Sequence, residues 1–121
     1  MKSDTFHMSM LFDFYGELLT DNQKWLFNLY YNEDMSLMEI SEIAGITRQG
    51  VRDAIVRAET ALRNTEDRLG LVKRYANIQR QAEIIARAAS AIVSVNAAGP
   101  RSREIANQAE LILQTANKLS E

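Results

Sequence analysis

The 121-residue chain has no cysteine, one histidine, one proline and one tryptophan. Without cysteine there can be no disulfide, no thiolate metal site and no thiol nucleophile. The lack of thiols fits a reducing compartment, and a cytoplasmic protein is expected. The single histidine, His7, has no second histidine or cysteine with which to hold a metal. No glycine-rich phosphate loop occurs. The acidic pairs Glu33–Asp34 and Glu66–Asp67 are adjacent in sequence, so on a helix their carboxylates diverge and read as solvated charge. No enzymatic activity, cofactor or metal is therefore expected. No apolar run approaches the roughly 20 residues that span a bilayer, so no membrane insertion is expected. The opening MKSDTFHMSMLFDFY carries acidic groups inside its apolar stretch, and no signal peptide is expected there.

What is present is ordinary for a folded domain: 46% hydrophobic and 25% charged residues, which excludes a disordered chain. The net charge of −2 hides an asymmetry. Residues 1–45 carry −6, residues 46–74 carry +3 and residues 75–121 carry +1. Positive charge thus gathers in the middle of the chain, a modest electrostatic footprint for a polyanion. A single copy neutralising three or four phosphates would bind weakly at physiological salt, so binding to DNA implies a dimer.

That middle stretch reads as a helix-turn-helix. Ser36 and Glu39 form a capping box, after which Leu37, Ile40 and Ile43 recur at helical spacing. Gly45 suits the left-handed stop of that helix. Thr47 caps the next, whose core stripe is Val51, Ile55, Ala58 and Leu62. At 100° per residue, Gln49, Asp53, Val56 and Thr60 point away from the stripe. Arg52 and Arg63 flank them on one side, Arg57 on the other, and Arg48 opens the helix. Arginine suits phosphate and guanine edges, and glutamine suits adenine. The candidate nucleic-acid-binding residues are therefore Thr47, Arg48, Gln49, Arg52, Val56, Arg57 and Arg63. Asp53 is the awkward member: phosphate repels it, but it could accept from a cytosine amine or orient an arginine.

Upstream, Phe6 to Leu19 reads as a helix that is apolar around much of its circumference, packing either into one crowded core or partly against another subunit. A second capping box, Thr20 with Gln23, opens a helix running through Asn32. Trp25, Leu26, Leu29 and Tyr30 are expected to anchor the core from it. The five methionines read as core filler or as an adaptable helix-binding surface.

Several pieces of this region (LFDFY at 11–15, LLTDNQ at 18–23, LYYNED at 29–34, SLMEIS at 36–41, ITRQGVRDAI at 46–55) together resemble the bacterial YlxM family. These are small helix-turn-helix proteins similar to region 4 of sigma factors. The resemblance covers about the first 75 residues. It implies a gene beside that of the signal recognition particle GTPase Ffh and a regulatory role in that Ffh/FtsY secretion pathway. The family's recognition positions fall on Arg48, Gln49 and Arg52, while Asp53 and Val56 depart from the phosphate-friendly residues of sigma-like helices.

Beyond it, Leu71, Tyr75, Ile78, Ala82, Ile85, Ala89 and Ile92 step by four and three, a heptad seam. Asn96 to Ser102 interrupts it, with Gly99 suited to a helix end and Pro100 to a restart. Ile105, Ala109, Ile112, Ala116 and Leu119 resume it. The expected fold is all-α: a sigma region 4-like helix-turn-helix domain over residues 1–70, then an antiparallel helical hairpin over residues 71–121. A hairpin buries little by itself. Its seam (Tyr75, Ile78, Ala82, Ile85, Ala89, Ile92, Ile105, Ala109, Ile112 and Ala116) is expected to dock on a second copy, making a homodimer, or else on its own first domain. Three functions remain open: a dimeric DNA-binding regulator, an accessory protein touching the signal recognition particle protein, and a binder of that particle's RNA.

Overall fold

A computed structural model describes Lys2 and residues 4–121. The fold is all-helical. Its elements are α1 (Thr5–Tyr15), a 3₁₀ turn (Gly16–Leu18), α2 (Asp21–Tyr31), α3 (Leu37–Ala44), α4 (Arg48–Leu69), α5 (Leu71–Ala98) and α6 (Arg103–Leu119). The chain divides into two compact units, Met1–Val72 and Lys73–Glu121. No helix among the described residues is long and apolar enough to cross a membrane.

In the first unit, local signals set the helix boundaries. The Thr20 hydroxyl accepts from the Gln23 N–H and the Gln23 amide oxygen accepts from the Thr20 N–H, both at 3.1 Å. Ser36 and Glu39 do the same at the start of α3. Each box satisfies two of the donors that a helix leaves unpartnered at its first turn. Gly45 ends α3 with φ +71, a conformation that costs a residue with a Cβ.

The core of this unit lies where α1, α2, α3 and α4 converge. Met8, Leu11, Leu26, Phe27, Ile40, Val51 and Ile55 are wholly enclosed. The stripe read on α4, including Ala58 and Leu62, is buried in full. Phe27 stacks between Phe12 and Tyr31, with centroids at 4.7 and 4.5 Å.

Two expectations for this region need correction. Trp25 is 43% exposed and is no core anchor; Leu26, Phe27, Tyr30 and Tyr31 are the buried residues of α2. The face turned inward is thus centred past Trp25, on the phase that lets Phe27 slot between the two rings. The first helix also stops short of Leu19, at Tyr15. Gly16 is a weak helix former, and Leu19 must extend (ψ 156) to lead into the Thr20 cap, so the chain tightens into a 3₁₀ turn instead. Around α1 the circumference is divided: Met8, Leu11 and Tyr15 are buried, while Phe6, at 78%, and Phe14, at 37%, are exposed.

Buried polar groups are tied across the unit. The Tyr31 hydroxyl donates to Glu59, a buried carboxylate of α4. The Tyr15 hydroxyl donates to Glu66 at 2.6 Å and accepts from the Leu71 N–H, while Glu66 also accepts from the Val72 N–H. These bonds pin the joint after Gly70, itself left-handed at φ +63. No buried side-chain nitrogen or oxygen among the described residues lacks a partner.

The second unit is an antiparallel pair of helices. Near the open end the Gln79 amide donates to the Ser120 carbonyl. At the loop, Asn96 and Ser102 exchange two bonds of 2.9 Å: the Asn96 amide donates to the Ser102 carbonyl and accepts from its N–H. The Asn96 carbonyl also accepts from Gly99 and Arg101. Gly99 is not the left-handed residue of this loop; Arg101 is, at φ +52. With Asn96 fixing both ends of the turn, Gly99 is needed for space, since a Cβ there would sit 3.2 Å from the Val95 carbonyl.

Candidate nucleic-acid interface

The candidate surface runs along α4 as far as Arg63 and includes the turn before it. Thr47 enters in extended conformation and its hydroxyl accepts from the Gly50 N–H at 3.0 Å. Gly50 escaped the sequence reading, yet a Cβ there would press on the Thr47 hydroxyl at 3.2 Å and on Ile46. The signal was available: a glycine three residues after a cap, in an otherwise strong helix, marks a crowded first turn.

Beyond the cap, the side chains follow the phase set by the buried stripe. Thr47, Arg48, Gln49, Arg52, Val56, Arg57 and Arg63 are all exposed. Arg48, Arg52 and Arg57 form no ion pair among the described residues. Their guanidiniums are therefore not neutralised internally, and each offers a planar fork of donors suited to phosphate or to a guanine edge. Asp53 accepts from the Gln49 amide at 2.9 Å, one turn along the same face. Gln49 keeps its carbonyl oxygen and a second N–H for another partner.

The helix preceding the turn has a different character. Glu39 and Glu42 are exposed on it, next to exposed Met38 and Ile43. Its N-terminus is closed by Ser36 and Glu39. Basic and acidic-apolar surfaces thus sit on the two helices of one motif.

Nine of the ten hairpin residues separate into two groups. Ala82, Ala89, Ala109 and Ala116 are buried between α5 and α6, at 1–2% exposure. Ile78, Ile85, Ile92, Ile105 and Ile112 remain 39–42% exposed. Tyr75 is half-buried, its hydroxyl accepting from the Gln79 amide at 2.7 Å. No group of three or more histidine, cysteine or carboxylate side chains able to hold a metal occurs among the described residues.

An all-helical unit whose Gly-stopped helix leads through a tight turn into a capped, arginine-faced helix is a helix-turn-helix protein. Comparison with known sequences agrees. Residues 2–96 match the family described as "Putative helix-turn-helix protein, YlxM / p13 like". A UPF0122 protein of Caldanaerobacter subterraneus subsp. tengcongensis is 51% identical over 85 residues, covering 70% of this chain and 73% of the relative. One from Thermoanaerobacter sp. strain X514 is 49% identical with the same coverage. A third, from Listeria welshimeri, is 45% identical over 75 residues, 62% of this chain and 68% of the relative. The chain belongs to the YlxM/p13-like helix-turn-helix family.

Proposed function

We propose that the protein is a DNA-binding regulator that lays the first half of α4 in the major groove, acts as a homodimer in the cytoplasm, and serves the signal recognition particle pathway. The observation that carries the DNA reading is the set Arg48, Arg52 and Arg57: exposed and without ion pairs among the described residues. Exposed guanidiniums on the helix after the turn are what phosphate and guanine contacts require. The family description, a helix-turn-helix protein, supports the same reading. The dimer follows from charge, because the basic stretch of one copy neutralises too few phosphates to hold DNA alone. The pathway rests on the resemblance to YlxM proteins.

Gel shifts with genomic fragments across a salt series test the first part. Changing Arg48 and Arg52 together to alanine should lower affinity at least about 100-fold and flatten the salt slope by about two, with the melting curve unchanged. Undetectable or sequence-independent binding by the parent protein sinks the reading.

A second reading has its own observation, the acidic and apolar surface of α3. Glu39 and Glu42 repel phosphate, and exposed Met38 and Ile43 suit a protein. In that reading the protein is a non-DNA-binding accessory factor contacting the signal recognition particle protein through α3; contact with the particle's RNA would instead fall to the arginines of α4. Pull-down with purified Ffh, with and without its RNA, separates these partners: capture that needs the RNA implicates the nucleic acid.

A further inference from the structure

The second unit buries alanines and leaves its isoleucines in water. Ala82, Ala89, Ala109 and Ala116 occupy the seam between α5 and α6. Ile78, Ile85 and Ile92 on α5, and Ile105, Ile112 and Leu119 on α6, line one broad side of the pair at 39–51% exposure. Two depressions bring the rows together, one of about 310 Å³ joining Ile92 to Ile105, the other of about 210 Å³ joining Ile85 to Ile112. At the rim of that side Val95 of α5 is more exposed still, at 70%, and Leu111 of α6 is at 58%. By helical phase the charges of α5, Arg80, Glu83 and Arg87, fall on the other side, where Glu83 and Arg87 are 3.9 Å apart.

We propose that this isoleucine face packs against the same face of a second copy, giving a four-helix layer around a dyad. The pattern fits itself. Both rows repeat every seven residues and run in opposite directions, so the face presents the same apolar spacing to a copy of itself from either end, which suits an isologous contact. The size is also right. Twenty residues of helix span about 30 Å, and two helices side by side about 20 Å, so each copy offers roughly 600 Å². Two copies bury about 1,200 Å², the lower edge of a stable specific interface. With the charges of α5 on the far side, and Glu104 and Lys118 of α6 only at the rim beside Leu111, the centre of the face offers an acidic or basic partner no complement. The proposal deepens the dimer that the DNA reading calls for, but rests on apolar surface rather than on any arginine.

Sedimentation equilibrium of the full chain without DNA is the test. The expected mass is twice 13.7 kDa, independent of salt. Replacing Ile85 and Ile112 together by aspartate should raise the dimer dissociation constant at least about 100-fold, with helical circular dichroism retained. A second variant, Val95→Ser with Leu111→Asn, touches only the most exposed positions and leaves the alanine seam intact. It should weaken the dimer about tenfold or more. A parent protein that sediments at 13.7 kDa across the concentration series overturns the proposal. So do variants that both stay dimeric. A dimer that shifts no DNA supports this face and removes the DNA reading; a monomer that shifts DNA does the reverse.

Discussion

The two units solve the same problem with different side chains. The first closes a core of large groups, with Phe27, Met8 and Leu11 fully enclosed and four helices around them. The second brings two helices together through alanines and keeps its large aliphatics outside. Hydrophobic stabilisation scales with apolar area removed from water, and an alanine removes little. The first unit is therefore self-sufficient in its core, whereas the second draws little from the small groups it buries. Helical pattern alone does not distinguish these cases; side-chain volume at the seam does.

That contrast can be broken by substitution. The largest effect is expected from Phe27→Ala, which empties the stack between Phe12 and Tyr31 and should cost about 3–5 kcal/mol in urea denaturation. An equal loss from any alanine of the hairpin would erase the contrast. Next comes Ala89→Leu, where a larger group is forced into a seam with no room. A loss of about 1–3 kcal/mol is expected, confined to the second unit and read by hydrogen exchange along α5 and α6. If Leu is accommodated at no cost, the helices are not held by close approach. Ser36→Ala should cost about 1 kcal/mol by removing one half of the α3 capping box, again by urea denaturation.

The smallest effect is a pH dependence. Burial, and then the hydrogen bond to Glu66, raise the pKa of Tyr15 above its ordinary value. A raised folded pKa means the native state holds its proton more tightly than the unfolded chain. Its contribution is thus complete below about pH 10 and is lost as pH rises through the folded value. Denaturation midpoints taken from about pH 9 upward should fall more steeply for the parent protein than for Tyr15→Phe. Parallel curves would remove Tyr15 as the cause.

How much of this was legible in the sequence depended on range. Thr20, Ser36 and Thr47 were readable as caps because the partner lies three residues away, and Gly45 because its conformation is local. The Val51, Ile55, Ala58 and Leu62 stripe was readable because helical phase alone sets it. Trp25 was misplaced because hydrophobicity does not reveal phase within a cluster of large residues. The Tyr31–Glu59 and Tyr15–Glu66 bonds span 28 and 51 residues, and no periodicity announces them. Of the candidate interface, the outward arginines followed from the stripe. The pairing of Gln49 with Asp53 is an i,i+4 contact that residue spacing permits without selecting it over an arginine. In the hairpin the seam was visible, but not its division, since alanine and isoleucine alternate along it with the same period.

The hydroxyl of Tyr15 has a consequence for amide exchange. The first N–H groups of a helix ordinarily face water and swap their protons quickly. At the start of α5, Leu71 and Val72 instead donate to Tyr15 and Glu66. Their deuterium uptake should follow the slow opening of the whole first unit, not the fraying of α5. Two amides at a helix start thus become a clock for a core more than fifty positions upstream.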